Sequence, residues 1–404
     1  MKKTLLLSVV ASTMIMAGGD IAPVEPIIET PAATASGWNF DGNAVAYYQT
    51  RDNTNVTPDV DLFDSDAGTA GNLAVQLRAV NKDLIGGIGA GIELSGLYTN
   101  DDIVAAPVQQ AGTNNLTAAI TQAYLTYGMG NTSLKVGRQH LPKSLSPFAF
   151  TEGWQVVKNS FESALVVNTD LPDTTLVYAA VTKSNQSFAL GTGGDIANFN
   201  KINANGDVVH MLTAQNKSID GLTLTASYYL APDFTTTDDL SALWGDAKFT
   251  ISDYTVGLQG GMLDGALDAT GFGAKIGGNF SMFDASLAYS SVDDGTGAIH
   301  NLGTNVKTPL YTQAILNQNF IKTDSDTFLV KAGVKALGGK FGAYYNYSDL
   351  GTTNFAADDY NEFAVTYKTK VTDNTTVWAG YVNSTLGDDD SRNFIRVWAR
   401  YNFN

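Results

Sequence analysis

Apolar and polar residues alternate with a period of two along most of this chain, in unusually long runs. In the last segment Arg396 and Arg400 lie on one face, whereas Val397 and Ala399 between them are apolar. Such runs are about 10–13 residues long, which matches the ~9–11 residues that a tilted strand needs to cross a membrane. Strands of soluble sheets are shorter, about 5–6 residues. The pattern therefore predicts membrane-spanning β-strands.

Counting the alternating runs predicts about 18 strands, with 16 as the alternative, and an even number is what single-chain bacterial barrels have. Short turns alternate with long connections, as they do in barrels that separate periplasmic turns from external loops. Closure leaves no unpaired edge in lipid. We therefore expect an all-β, transmembrane antiparallel β-barrel over residues 37–404. The predicted strands span 38–51, 71–81, 86–99, 116–129, 133–140, 162–170, 174–185, 207–218, 222–232, 241–252, 254–264, 270–281, 283–293, 326–337, 340–349, 359–371, 375–387 and 392–403.

The N-terminus has the pattern of an export signal. Lys2 and Lys3 precede a largely apolar stretch that ends in small residues, so residues 1–17 are predicted to be a signal peptide. Residues 18–36 contain three prolines and are predicted to be a periplasmic lead-in, because prolines interrupt a strand ladder. Together with the barrel, this pattern predicts a multi-pass protein of the Gram-negative outer membrane.

Composition excludes several classes of function. The chain has no cysteine, which excludes disulfide frameworks and thiolate metal sites. Its formal net charge of −16 argues against nucleic acid as a partner, because no basic stripe is available to displace counterions. The three histidines are widely spread and no hydrolase or zinc-protease motif is present. We therefore expect no enzyme activity and no required cofactor.

Two stretches resemble a known family. The run 134–139, followed by a proline-containing loop and then 161–167, is similar to the epsilonproteobacterial (Campylobacter-type) major outer membrane porins. More distantly it is similar to the substrate-specific porins of pseudomonads. The resemblance implies an 18-stranded barrel, a homotrimer, and a third long loop that folds inward to narrow the pore. In this sequence that loop is 141–161.

Charges that line a channel determine its selectivity. The alternation turns one set of charged residues toward the lumen, and the inward loop and its end add another. The strand candidates are Arg78, Glu93, Lys135, Lys331, Lys335, Lys368, Arg396 and Arg400, with Glu362 on the same face; the loop candidates are Lys143, Glu152, Lys158 and Glu162. The alternative for each is a polar group kept out of lipid without a selectivity role.

The opposite charges suggest a transverse field at the narrowest point. In this hypothesis Glu152 and Glu162 face a basic wall that includes Arg396 and Arg400. Arg138 is a further candidate, although alternation turns it outward. A bulge at the preceding glycine would re-aim it into the lumen.

The long loops are acidic. Carboxylates cluster at Asp59–Asp66, Asp101–Asp102, Asp238–Asp239, Asp293–Asp294 and Asp388–Asp390. Clustered carboxylates can bind Ca²⁺, but the first cluster lacks the glycine and terminal glutamate of an EF-hand. A solvated loop surface and a Ca²⁺ site therefore remain the two interpretations, and no ligands are assigned.

These features predict a porin, a water-filled channel through which ions and small hydrophilic solutes diffuse. The acidic loops predict a mild preference for cations. Two alternatives stay open: a substrate-selective channel of the same fold, in which the basic residues guide the solute, and a surface adhesin or structural protein anchored by its barrel. The expected partners are outer-membrane lipid and the diffusing solutes.

Overall fold

A computed structural model describes residues 37–53, 58–112, 114–185, 194–203, 208–351, 355, 357–389 and 391–403. The predicted signal peptide and lead-in, residues 1–36, lie outside this set. Among the described residues, no helix is long and apolar enough to cross a bilayer. The helical segments described are two single 3₁₀ turns, Lys143–Leu145 and Asn317–Asn319.

The described residues form a closed antiparallel barrel of eighteen strands, in which the first strand pairs with the last. The predicted count of 18 is therefore confirmed. The strands are β1 Asn39–Arg51, β2 Thr69–Ile85, β3 Ile88–Tyr98, β4 Leu116–Met129, β5 Thr132–Gln139, β6 Phe161–Asn168, β7 Thr174–Asn185, β8 Val209–Asn216, β9 Leu222–Ala231, β10 Leu240–Ile251, β11 Tyr254–Gly265, β12 Ala269–Phe280, β13 Phe283–Val292, β14 Ser325–Ala336, β15 Gly339–Leu350, β16 Asp359–Lys370, β17 Thr375–Leu386 and β18 Arg392–Phe403. Three short strands, Gln109–Gln110, Gly194–Asp195 and Phe199–Lys201, lie in the loops.

The alternation separates an apolar outer surface from a polar interior. Outward residues such as Leu73, Val75 and Leu77 are exposed, whereas Ala74 and Gln76 between them are buried inside. Exposed aromatic rings lie near both ends of the strands, which is the position of the aromatic girdles of outer-membrane barrels. They include Tyr98, Phe272, Phe328 and Phe363 toward the loops and Tyr127, Tyr254, Phe280 and Phe283 toward the turns.

The connections differ sharply between the two ends of the barrel. Those at one end are short; for example, Leu337 and Gly338 join β14 to β15 with φ values of 52° and 74°. Both angles lie in the left-handed region. Two-residue hairpin turns need such angles so that the turn matches the twist of the two strands. The other end carries the long loops. Two of these, residues 140–160 and 293–324, turn into the barrel, and we call them the first and second inner loops.

Candidate pore constriction

The first inner loop is anchored on one side of the barrel wall by Phe148. This ring meets Tyr229 and Trp244 edge-on, with ring centroids 5.6 and 5.4 Å apart. The Phe148 amide also donates to the Tyr229 hydroxyl at 3.1 Å. Edge-to-face pairs of this kind add about 0.5–1.5 kcal/mol to the burial of the rings. The base of the loop is therefore held against β9 and β10.

The far part of the same loop reaches the wall formed by β1 and β18. Val156 and Val157 are fully buried in one cluster with Tyr47 and Trp398. Arg400 Nη2 donates to the Val156 carbonyl at 3.2 Å. The loop thus crosses the lumen between opposite walls, as the resemblance implied for the third long loop.

The second inner loop is attached to the wall through Glu362. This carboxylate is 0% exposed. It accepts hydrogen bonds from the backbone amides of Ile315 at 3.2 Å and Leu316 at 3.0 Å. The hydroxyl of Tyr360 donates to it at 2.9 Å, and that of Tyr344 donates to it as well. A buried carboxylate with this many donors holds a loop firmly, because charge-assisted hydrogen bonds are stronger than neutral ones.

Two further wall residues hold the preceding part of this loop. Lys331 Nζ donates to the Gln313 carbonyl at 3.2 Å, and the Tyr311 hydroxyl donates to Asp246 Oδ2 at 2.5 Å. Gly257 makes room for Tyr311, since a Cβ at that position would lie 2.6 Å from the hydroxyl oxygen. The loop is therefore attached to β10, β14 and β16. The inward fold of this second loop was not predicted, because loops lack the periodic pattern that indicates direction.

Glu152 joins the two inner loops. Its side chain is 2% exposed. Oε2 accepts from Trp154 Nε1 at 2.7 Å within the first loop. Oε1 accepts from Asn301 Nδ2 at 3.0 Å, Thr304 Oγ1 at 2.5 Å and the Lys307 amide at 3.2 Å in the second. Glu152 therefore links the two loops to each other, a role that the transverse-field hypothesis did not assign to it.

Replacing Glu152 by alanine should loosen both inner loops. Each buried donor left without an acceptor costs about 1–3 kcal/mol, so the expected destabilisation is several kcal/mol of loop docking. We expect faster proteolytic cleavage between 293 and 324 at unchanged barrel migration on gels. Asp253→Ala, at an exposed position in a tight turn, is the matched control. Cleavage of the variant at the wild-type rate would contradict the assigned linking role.

Acid should loosen the second inner loop through His300. Burial lowers the pKa of this imidazole below 6.5, and nearby Lys322 adds to the effect. A lowered folded-state pKa means that the stability contributed by neutral His300 is present above the unfolded value and is lost as pH falls through the folded one. We expect proteolysis of the loop to accelerate as the pH falls below about 6.5, the ordinary value of a histidine. His300→Gln should remove this part of the pH dependence; an unchanged profile would show that another group titrates.

Arg396 and Arg400 differ in exposure, although both point inward. Arg396 is 1% exposed, and its guanidinium lies 5.5 Å from the Trp154 ring and 5.0 Å from the Phe394 ring. Cation–π contacts of this kind stabilise the docked first inner loop. Arg400 is half-buried and hydrogen-bonds Asn43 Oδ1 at 2.8 Å. Arg396 is therefore shielded from passing solutes, whereas part of Arg400 stays exposed.

The other predicted strand residues lie on the inner face. Arg78 pairs with Asp41 at 2.8 Å, and Lys135 lies 3.6 Å from the centre of the Tyr124 ring. Glu93 is buried in the wall, where it accepts from Thr121 Oγ1 at 2.8 Å. The remaining inward residues are Lys331, Lys335 and Lys368, of which Lys331 is 9% exposed and Lys335 is exposed.

The loop residues Lys143 and Lys158 both belong to the first inner loop. Lys143 Nζ donates to the Thr308 carbonyl at 3.4 Å, which connects the two inner loops a second time. Lys158 lies close enough to His140 to help lower the pKa of that imidazole, although burial is the larger cause. Both cations therefore lie in the narrowed part of the lumen.

Arg138 and Glu162 are not in the lumen. The register of β5 with both neighbours continues without a shift through Gly137, so the bulge considered for Arg138 is absent. Arg138 stays on the outward face with exposed Val136, and its guanidinium pairs with Glu162 at 2.9 Å. The predicted placement of these two residues at the constriction was wrong because the alternation continues unbroken to the end of β5.

Several inward charges were missed by the sequence analysis. They all lie on the inner face: Asp246 and Lys248 on β10, Lys275 on β12, Asp284 on β13 and Lys340 on β15. Asp284 and Lys340 form an ion pair at 2.5 Å. Continuing the period-two alternation through these strands would have found them. Lys307, which faces the Trp154 ring at 5.7 Å, carries no such signal because it lies in a loop.

Cations predominate on the inner face. Lys331 lies within electrostatic range of Lys143, Lys275 and Lys307. The inward cations of the strands include Arg78, Lys135, Lys248, Lys275, Lys331, Lys335, Lys340, Lys368, Arg396 and Arg400; the inward carboxylates there include Asp41, Glu93, Asp246, Asp284 and Glu362. Within the described ranges, no three carboxylate or imidazole side chains are arranged to hold a metal ion.

Comparison with known proteins gives one family and one fold. A family profile described as Gram-negative porin matches residues 16–404. No curated protein matched the sequence. The fold is similar to OccAB3 of Acinetobacter baumannii, with a TM-score of 0.70 and 13% identity over 91% of this chain and 99% of that one.

Two Pseudomonas aeruginosa structures are similar to about the same degree. OpdK, crystallised with vanillate, has a TM-score of 0.70 and 14% identity over 91% of this chain and 98% of that one. OccD3 has a TM-score of 0.69 and 13% identity over 93% and 94%. At these identities the similarity establishes the barrel fold and its closure, and nothing about the solute.

Proposed function

The chain belongs to the Gram-negative porin family and is an outer-membrane channel rather than an enzyme, and on this premise we propose that its lumen favours small anionic solutes such as carboxylates. The observation that carries the proposal is the excess of cations on the inner face, among them Lys331, which contacts the second inner loop. Rings of Lys and Arg select anions in pores.

The distribution of the carboxylates supports the same preference. Asp41 is paired with Arg78, and Asp284 with Lys340. Glu362 and Glu152 are buried as loop attachments. Carboxylates used in this way contribute little field to the water-filled path, whereas Lys335 is exposed to it.

A mild cation preference remains the second candidate, and the acidic loops favour it. Asp59, Asp61 and Asp64 lie in the loop between β1 and β2, outside the narrowed section. Clefts lined by one sign of charge concentrate counter-ions at their mouth. The two candidates differ in which region dominates: the external loops or the inner wall.

Single-channel recording in planar bilayers separates the candidates. We expect stable openings, a reversal potential under a salt gradient that favours anions, and a drop in current when small carboxylates are added. A cation-favouring reversal potential would instead assign selectivity to the acidic loops. A silent protein with normal heat-modifiable migration would support a barrel-anchored surface protein.

Three finer assignments are also proposals. The resemblance of residues 134–139 and 161–167 supports closer kinship to the epsilonproteobacterial porins and a homotrimer. Migration of unheated protein on gels, before and after chemical cross-linking, tests the trimer.

Export by cleavage after Ala17 is tested by N-terminal sequencing of the mature protein, which should begin near Gly18.

A further inference from the structure

A row of four charged side chains crosses the outside of the barrel at the end that carries the long loops. Arg138 lies directly opposite Glu162, Glu162 opposite Lys183, and Lys183 opposite Lys201 in the strand register. We call these four residues the rim row. Side chains in direct register on neighbouring strands share one face of a sheet.

That face is the outward one. Ser163, next to Glu162, is buried toward the interior, and so is Leu165 two residues further on. Glu162 therefore points outward, because successive residues of a strand face opposite sides. Lys183 and Lys201 point outward as well, because Lys183 is in direct register with Glu162 and Lys201 with Lys183. Lys201 is exposed, and the other three are half-buried.

The charges of the rim row do not balance. Glu162 is shared between Arg138, at 2.9 Å, and Lys183, at 3.4 Å. Lys201 adds a further positive charge directly opposite Lys183. Like charges in direct register are destabilising, and an anion bound beside them would relieve the repulsion. The Phe199 ring lies 3.5 Å from the Arg138 guanidinium and gives the row an apolar border.

The rim row lies at the loop ends of its strands. Arg138 and Glu162 each neighbour the last strand residue at that end, and Lys183 lies close to the end of β7. Tyr178, on the same strand as Lys183 and nearer the turns, stacks on His210 with ring centroids 6.1 Å apart. Its hydroxyl lies 2.8 Å from His210 Nδ1, and both residues are exposed on the outer face. The apolar outer band of such barrels is about 25 Å tall, so the ends of the strands lie near the membrane–water interfaces. Lys183 and Lys201 lie beyond them, toward the loops.

We propose that the rim row binds the phosphate-bearing headgroup of an anionic lipid in the leaflet that faces the long loops. Lys183 and Lys201 provide the charge, Glu162 holds Arg138 and Lys183 in position, and Phe199 packs beside the lipid. The phosphate comes from a lipid and not from solution because the row lies on the lipid-facing wall. The site is separate from the lumen, so it does not depend on the proposed solute preference.

Native mass spectrometry of the folded full-length mature protein tests the site. The probes are bisphosphorylated lipid A and the same lipid without its phosphates. We expect K183Q/K201Q to bind the phosphorylated lipid at least about tenfold more weakly than wild type, since each lysine near an anionic surface contributes to binding. K217Q/K370Q, which removes two exposed lysines at the turn side, should bind as wild type, and the dephosphorylated lipid should not distinguish the variants.

Charge-conserving variants and competition with inorganic phosphate complete the test. K183R/K201R should retain wild-type binding. If K183Q/K201Q fails to fold, as judged by heat-modifiable migration, K201Q alone decides, because that side chain is exposed. Equal binding of phosphorylated lipid A by the glutamine and control variants would overturn the proposal. Full displacement of the lipid by equimolar inorganic phosphate would also overturn it, because the site would then bind phosphate from solution.

Discussion

Replacing Glu362 by alanine is expected to raise single-channel conductance at least about twofold and to add current noise, since pore width sets the flow. The variant removes the acceptor of the Ile315 and Leu316 amides and leaves the Tyr344 and Tyr360 hydroxyls without their partner. Leaving buried donors without a partner costs about 1–3 kcal/mol each. The second inner loop should then leave the lumen for part of the time. Planar-bilayer recording measures both quantities.

The control for this prediction is Asp349→Ala, on the outer face of neighbouring β15. It removes the same charge from an exposed position that does not contact the loop. The conductance and noise of Glu362→Gln should lie between those of the two alanine variants, because an amide oxygen still accepts hydrogen bonds. If alanine at 362 left conductance and noise at wild-type values, the loop would be held by its other attachments, Lys331 and Tyr311, and Glu362 would be a minor contributor.

Reversing two lumen charges should change ion selectivity. In K275E/K335E two inward cations on β12 and β14 become anions. We expect the anion-to-cation permeability ratio to fall at least about threefold, because the low-dielectric walls of a narrow channel focus the field of lining charges on passing ions. The reversal potential under a salt gradient measures this ratio directly.

K217E/S218E/I219E is the matched control for the lumen variant. It introduces the same change in net charge at exposed positions of one turn, outside the lumen. If the control and the lumen variant shifted the reversal potential equally, selectivity would arise from the overall charge of the protein. A shift confined to the lumen variant would support the inner wall as the selective element.

The barrel could be predicted closely from sequence because its main determinant is local. Alternation along a strand such as β18 shows which side chains face lipid and which face water, and lipid tolerates a sheet only when it is closed. The strand count and the inward face of Arg78, Lys331 and Lys335 follow from that rule. The same rule places Arg138 outward, and the misplaced prediction came from adding a bulge.

The alternating pattern alone specifies the all-β architecture, its closure and the side of the wall on which each strand residue lies. What fills the lumen depends on contacts that form only in the folded barrel. Glu152 and Glu362 read as pore charges in sequence, yet they are buried acceptors that hold the inner loops. Loop residues have no periodicity to indicate a direction, and their partners lie far away in the chain; Glu152 and Thr304 are 152 positions apart. Only the closed barrel brings such residues together, because their contacts depend on the shape of the space that they share.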